Sequence, residues 1–142
     1  MAKGDTFEND LLKLIFNATA IANIADNAAT SPLTNLYVSL HTSSPGEAGN
    51  QTTNEATYTS YARVAVARTS GAWTVTANSV SPAAAITFPT ATGGTETITH
   101  AAVGTDASGA GKLLYYGAIS PNISVTTGVA PSLTTSTVIT ED

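Results

Sequence analysis

The sequence predicts a mainly β protein, a β-sandwich or jelly-roll-like barrel of about eight short strands with one N-terminal α-helix. Two observations predict this fold class. Apolar residues recur at helical spacing only before residue 31, and after Pro32 the pattern changes to short β segments separated by glycines and prolines. The chain therefore divides into an N-terminal helix and linker over residues 1–31 and a β-sandwich domain over residues 32–142.

Residues 5–27 are predicted to form the helix. One apolar stripe runs along it at helical spacing, made of Phe7, Leu11, Leu14, Ile15, Ala18, Ile21, Ala22 and Ala25. Such a stripe needs a partner surface, and two partners are open. The helix packs either on the sheet of its own domain or on a neighbouring subunit. In the second case Phe7, Leu11 and Ile15 are candidate interface residues.

The β segments after Pro32 are short, and turn residues separate them. Apolar and polar side chains alternate in several of them, and β-branched residues are frequent, as expected for a pleated, half-buried surface. The predicted strands are 36–41, 61–69, 73–76, 85–88, 96–104, 112–119, 123–126 and 135–140. Strands this short and this regularly spaced favour a sandwich or barrel over βαβ units.

The charge pattern limits the functions open to this chain of 142 residues. Charged residues make up 11% of the sequence and the net charge is −5, so we expect no nucleic-acid partner, because binding to phosphates needs clustered Lys and Arg. A surface rich in Thr, Ala and Ser suits contacts between subunits. The chain has no cysteine, which excludes disulfides and thiolate metal sites.

The N-terminus does not have the pattern of a secretory signal. Asp5, Glu8 and Asp10 interrupt its apolar run, whereas a signal peptide has a basic start and an uninterrupted apolar stretch. No segment approaches the ~20 apolar residues of a membrane span. We therefore expect synthesis in the cytoplasm without export, and no membrane partner.

No group of residues has the spacing of a catalytic or cofactor site. The segment from Asp106 to Lys112 ends in Gly-Lys like a phosphate-binding loop, but an acid stands where that motif needs glycine, and Leu113 stands where it needs Ser or Thr. His41 and His100 are the two histidines, too few for a zinc or iron site, and no G-x-S-x-G motif accompanies them. We expect no enzymatic activity, no cofactor and no metal, and structural roles for both histidines.

The polar loop over residues 42–57 is the main candidate for an interface, since loops of this length in compact domains are usually functional or disordered. The candidate residues in and after it are Glu47, Glu55, Tyr58, Tyr61, Arg63 and Arg68. Either acid can pair with one of the arginines, and one arginine is expected to reach a partner surface. The tyrosines either supply aromatic area to an interface or close the core.

Several segments after residue 33 carry a family resemblance. They are LYVSLHTSSPGEAGNQTTNE, YARVAVAR, the Trp-Thr-Val element at residue 73, AITFP at 85–89, ITHAAVGTDASGAGKLLYYGAI at 98–119 and the strand pair around 128–140. In their order and turn chemistry these segments resemble a family of small tailed-bacteriophage virion proteins. Residues 129–136, VAPSLTTS, depart from the commoner pattern of that family at the last turn.

The resemblance implies a structural protein of the virion. The first expectation is a capsid decoration, or cement, protein that binds the major capsid protein as a homotrimer and bridges neighbouring subunits of the head shell. The alternative is a tail or tail-fibre component involved in host recognition, with the 42–57 loop at the receptor. A small hydrolase is disfavoured because no nucleophile and base have suitable spacing.

Overall fold

The computed structural model of the protein describes residues 5–21 and 32–141. Its elements in chain order are α1 (Asp5–Asn17), β1 (Asn35–His41), β2 (Val64–Ala67), β3 (Trp73–Thr76), β4 (Ser79–Pro82), β5 (Ile86–Thr87), β6 (Glu96–Gly104), β7 (Leu113–Val125), β8 (Ser132–Leu133) and β9 (Ile139–Thr140). The mainly β, sandwich-like fold class with one helix is confirmed, and the described residues form no closed barrel.

The strands form three sheets, with the orders β2-β1-β6-β7, β3-β4-β9 and β5-β8. The described residues fall into two compact units. The first contains α1, β3, β4 and β9, and the second contains residues 36–66 and 86–132, which include most of the four-stranded sheet. The division of the chain into residues 1–31 and 32–142 stays a prediction.

In the first unit, α1 packs against the hairpin formed by β3 and β4. Leu12 and Phe16 are fully buried, and the Phe16 ring meets the Trp73 ring edge-on with centroids 4.7 Å apart. Asn9 adds a hydrogen bond from its Nδ2 to the carbonyl oxygen of Ala77 at 2.6 Å. Leu12 and Phe16 were not in the predicted apolar stripe, whose Leu11, Leu14 and Ile15 are half-buried, so the buried face of the helix differs from the predicted one. The helix nevertheless packs on a sheet of its own chain, which is the first of the two alternatives.

The helix is shorter than the predicted span of 5–27 and ends at Asn17. Ala18 adopts a left-handed conformation with φ of 53°, and the Thr19 N–H donates to the Lys13 carbonyl at 3.1 Å. The left-handed residue and this hydrogen bond turn the chain back over the last turns of the helix. The prediction of helix over 18–21 is therefore wrong, because a local terminating motif without its usual glycine ends the helix while the apolar periodicity continues. Residues 22–27 lie outside the described residues.

The four-stranded sheet is the core of the second unit. β6 lies between β1 and β7 and pairs antiparallel with both, so that Val38 lies opposite Val103, and Ala102 lies opposite Tyr116. Its buried apolar side chains come from one face of β1 and from β6 and β7: Leu36, Val38, Leu40, Ile98, Ala102, Val103 and Val125.

Two of the observed strands were not predicted from the sequence. β4 pairs with β3 as a hairpin across residues 77 and 78, where Ala77 has a φ of 51°. The Asn-Gly or Asp-Gly pair that usually marks such a turn is absent there, and β4 ends on a proline. β8 is two residues long, below the length at which alternation is visible. Conversely, the two strands predicted at 112–119 and 123–126 form the single strand β7.

Candidate functional site

The 42–57 loop is fastened to the four-stranded sheet through Gln51. The Gln51 side chain is fully buried in spite of its polarity. Its backbone N–H donates to the Gly111 carbonyl at 3.1 Å, its Nε2 donates to the Tyr37 carbonyl at 3.3 Å, and its Oε1 accepts from the Asp106 N–H at 3.0 Å. Through these bonds, Gln51 joins the loop to β1 and to the 105–111 turn.

Two glycines make room for this amide. A Cβ built on Gly104 or on Gly111 would overlap the Gln51 side chain, and at Gly111 it would also crowd Asp106. Both glycines are buried, so a larger residue has no open space to move into. The Gly-rich segment after Asp106, which resembles a phosphate loop in sequence, serves here to let the loop and the turn approach each other.

The ion pair of Glu55 and Arg63 is the second contact that holds the loop in place. The Arg63 Nε and Nη2 donate to the two carboxylate oxygens of Glu55 at 2.6 and 2.8 Å, in the bidentate arrangement that gives strong pairs. The side chains are only 2% exposed for Arg63 and 15% for Glu55. Arg63 also donates to the carbonyls of Asp106 at 2.8 Å and Gly109 at 2.7 Å. The predicted pairing of a loop acid with an arginine is confirmed for this pair.

Of the tyrosines that follow the loop, Tyr58 is buried in the core and Tyr61 is half-buried beside it. Tyr58 is 3% exposed and donates to the Pro89 carbonyl at 2.9 Å. Tyr61 accepts from the Leu40 N–H and donates to Glu55, both at 3.0 Å, and its ring stacks on Phe88. Burial raises the pKa of both hydroxyls, that of Tyr58 to about 12, so both stay protonated donors at neutral pH. Of the two alternatives, Tyr58 belongs to the core, and Tyr61 packs against the core residue Phe88.

Glu96 holds the end of the loop, a role that the sequence did not indicate. Its carboxylate accepts from the backbone N–H groups of Thr57 and Tyr58, both at 3.1 Å. Nothing in the local sequence distinguishes this acid from a solvated one on an alternating strand. The contact depends on the fold, which brings β6 beside residues 57 and 58.

His41 forms a hydrogen bond with the middle of the loop. It is fully buried, its Nδ1 lies 2.9 Å from the Thr53 carbonyl, and its Nε2 lies 2.9 Å from the Ser39 hydroxyl. Because a carbonyl only accepts, Nδ1 carries the proton in the neutral ring and Nε2 accepts from Ser39. Burial lowers the pKa of His41, which keeps the ring neutral. The hydrogen-bonded structural role expected for this histidine is what the geometry shows.

We call a group of exposed residues of the loop and of the turn the loop face. It consists of Ser43, Ser44, Glu47 and Ala48 together with residues 107–110. Its tip is fixed by hydrogen bonds from the Asn54 Nδ2 to the Ser44 carbonyl at 2.9 Å and from the Gly46 N–H to the Ser44 hydroxyl at 3.2 Å. Glu47 is exposed and pairs with neither arginine. The loop face is therefore a rigid polar surface with one carboxylate available to a partner.

Arg68 lies in the first unit, apart from the loop acids in its contacts. Its guanidinium donates to the carbonyls of Ile15 at 2.6 Å, Leu14 at 2.7 Å and Leu33 at 2.7 Å. Two of these are orphan carbonyls at the C-terminus of α1, so Arg68 caps the helix. Leu11 and Ile15 are half-buried, and the side chain of Phe7 lies outside the described residues.

Within residues 5–21 and 32–141, no three metal-ligating side chains lie close enough to hold an ion. In the same part of the chain, no helix combines the length and the apolar character needed to cross a membrane.

Comparison with known proteins gives one family. No curated protein matches the chain. The model of the family described as "Podophage GP4 fiber I protein gp80" matches residues 2–141, which is nearly the whole sequence. This family is one of tailed-phage virion proteins, as the sequence resemblance implied. The word fiber in the family's description agrees better with a tail or tail-fibre component than with a capsid decoration protein. The chain belongs to the podophage GP4 fiber I protein gp80 family.

Proposed function

We propose that the protein is a non-enzymatic structural component of a tailed-phage fibre, and that the loop face contacts a receptor on the host cell. The family match over residues 2–141 is the observation that carries this proposal. Capsid decoration, the first expectation from the sequence, finds less support in a family described by its fibre.

The rigidity of the loop face supports a role in recognition. Gln51, Glu55 and His41 hold the loop in one conformation before any partner arrives. A pre-ordered surface loses less conformational entropy on binding than a flexible one, so more of its contact energy appears as affinity. The exposed hydroxyls of Ser43 and Ser44 and the carboxylate of Glu47 supply polar contacts that select a partner.

The burial of its serine–histidine pair supports a non-enzymatic role. Ser39 and His41 are hydrogen-bonded to each other, and both are fully buried beneath the loop. A substrate would have to displace the loop and its fastenings to reach the Ser39 hydroxyl. This pair therefore serves packing in the folded chain.

Labelling of purified particles tests the location. A gold-labelled antibody against the protein should mark the tail fibres, and densitometry should give at most a few dozen copies per particle. Label over the head with hundreds of copies would instead establish a decoration protein, because an icosahedral shell offers many equivalent positions.

A charge reversal tests the loop face. Phage carrying Glu47→Lys should adsorb to host cells several-fold more slowly, while phage carrying Thr74→Lys, a new lysine at an exposed position of β3, should adsorb normally. Glu55 is unsuitable for this test because its reversal would disrupt the shielded pair with Arg63. Normal adsorption of the Glu47→Lys phage would remove the loop face from the receptor contact.

The homotrimer expected from the sequence stays a prediction. Light scattering on the purified protein, at a concentration matching that on a particle, measures the number of copies directly. A mass of one copy at that concentration would contradict a stable homo-oligomer.

A further inference from the structure

The 42–57 loop rests on a buried histidine of the four-stranded sheet. Side chains alternate along a strand, so Ser39 and His41 share one face of β1, and both are fully buried. The loop contacts this face through Thr53, whose carbonyl oxygen lies 2.9 Å from the Nδ1 of His41. The ring is therefore shielded by the same loop that it helps to hold.

His41 stands in a row of ionisable side chains that runs across the strands. His100 of β6 lies directly opposite it in the ladder, and Glu55 of the loop forms a β-bridge with it on the other side. Arg63 binds both carboxylate oxygens of Glu55. Glu55 favours a proton on the His41 ring, whereas Arg63 and His100 disfavour it. Because Arg63 already neutralises Glu55, a charge on His41 gains little from that carboxylate.

The two hydrogen bonds of His41 fit only the neutral ring. Its Nδ1–H donates to the Thr53 carbonyl, and its Nε2 accepts from the Ser39 hydroxyl. A second proton, on Nε2, makes both ring nitrogens donors, so the buried Ser39 hydroxyl loses the acceptor of its hydrogen. Burial opposes the charged ring as well, and it lowers the pKa of His41. The loop in its closed position, on the sheet, therefore disfavours proton uptake.

We propose that the uptake of a proton by His41 in mild acid opens the 42–57 loop, so that the loop face is held in one conformation at neutral pH and released in acid. Opening lifts Thr53 from the ring and admits water, which solvates the charge and both N–H groups of the imidazolium. The meaning of this release for host recognition rests on the proposed function, because it matters to adsorption only where the loop face contacts the receptor.

Proton linkage sets the direction and the size of the effect. With the loop open, the His41 ring has the usual pKa of 6.5, above its value under the closed loop. Below that pH the open form binds more protons than the closed form, so acid favours opening, and above it the effect vanishes. For a ring that stays neutral under the closed loop, the ratio of open to closed molecules rises about tenfold from about pH 7.5 to about pH 5.5. Partial protonation under the closed loop makes the rise smaller.

Amide hydrogen exchange of the purified full-length chain measures the opening. The amides of Thr42 and Ala56 report on the loop, since both donate to carbonyls across its ends. The amide of Phe88 is the reference, because it lies in the same unit and donates to the Pro131 carbonyl outside the loop. After correction for the intrinsic exchange rate, the opening ratio at Thr42 and Ala56 should rise several-fold, up to about tenfold, from about pH 7.5 to about pH 5.5. No rise there, or an equal rise at Phe88, would overturn the proposal.

The two histidines of the chain provide matched variants. His41→Gln should abolish the rise at Thr42, because glutamine does not titrate in this range, whereas His100→Gln should keep it. A rise that persists in His41→Gln, or that disappears in His100→Gln, would assign the opening to another group and contradict the proposal. If His41→Gln does not fold, the natural chain and His100→Gln decide.

Adsorption separates the opening of the loop from its use in recognition. Phage adsorption to host cells should fall with pH in step with the closed fraction that hydrogen exchange gives for the purified chain. Opening of the loop in acid, combined with adsorption that does not follow the closed fraction, would support the role of His41 and contradict the receptor contact proposed for the loop face. Failure of the exchange test leaves the fibre location to the particle-labelling test.

Discussion

Glu55 is a single side chain on which several contacts of the 42–57 loop depend. It neutralises Arg63 in a shielded position and accepts a hydrogen bond from Tyr61, while Arg63 reaches on to two carbonyls of the 105–111 turn. A buried pair of this kind contributes less to net stability than its geometry suggests, but removal of one partner leaves an uncompensated charge. The loop, the turn and the strand after the loop therefore depend on one carboxylate.

Glu55→Ala should lower the free energy of unfolding by about 3 kcal/mol, because it leaves the Arg63 guanidinium buried without its counter-charge. Urea unfolding measures the change as a shift of the midpoint at constant slope. Glu47→Ala, the other acid of the same loop, is the control, and as an exposed acid unpaired with either arginine it should change stability by less than about 0.5 kcal/mol. Similar effects of the two substitutions would contradict the role assigned to the pair.

His41 gives the fold a pH dependence. Burial lowers its pKa below the usual 6.5, reinforced by Arg63 and His100 and opposed by the Thr53 carbonyl and by Glu55. The unfolded chain therefore binds more protons than the folded chain just below pH 6.5, so stability rises with pH in that window. The contribution is complete above pH 6.5 and is lost as the pH falls below it.

The free energy of unfolding of the natural chain should be measurably higher at about pH 7.5 than at about pH 5.5. His41→Gln should be less stable at the higher pH, since it changes a fully buried position, but its stability should depend less on pH. An unchanged pH dependence in His41→Gln would assign the effect to another group.

At the scale of elements, the end of α1 shows a local backbone conformation ending a helix although the apolar periodicity of the sequence continues. The helix stops at Asn17 because Ala18 takes a left-handed conformation, and Arg68 then binds two of the last carbonyls. Glycine is the usual residue at such a position, since it has no Cβ to strain.

Ala18→Gly should therefore stabilise the protein, by about 0.5–1 kcal/mol, because the relief of strain exceeds the added freedom of the unfolded chain. Ala20→Gly is the matched control: Ala20 is exposed and its φ is not positive, so glycine there should be neutral or slightly destabilising. Thermal melts of both variants measure the difference. A destabilised Ala18→Gly variant would show that Ala18 is not strained in the folded chain.

At the scale of the whole molecule, the two compact units raise the question of whether they open together. Phe16 is fully buried against Trp73 in the first unit, and Phe16→Ala should cost about 3–5 kcal/mol there. If the units open separately, amide hydrogen exchange should become faster in β3 and β4 and stay unchanged in β6. Leu33→Ala, at an exposed position of the same unit, should alter neither. Equal acceleration in β6 would show that the chain opens as one unit.

The success of the sequence-based predictions depends on the range of the interactions involved. Strands β1, β3 and β6 match the predicted spans to within one residue because their alternation and β-branched residues act locally. The Glu55–Arg63 pair was among those predicted because its members are close in the chain. Gln51 and Glu96 were missed because most of their partners lie about forty to sixty residues away and neither side chain looks unusual in its own segment.

The sequence by itself determined the mainly β class, the single helix, the absence of cysteine and the membership in a phage virion family, since composition, periodicity and family motifs are written in the chain. Only the tertiary structure decided where α1 ends, that Tyr58 and Tyr61 close the core, that Arg68 caps a helix, and that Glu47 is the loop acid left exposed. The physical reason is that burial and hydrogen bonding at these residues depend on partners distant in sequence, which only the folded chain brings within reach.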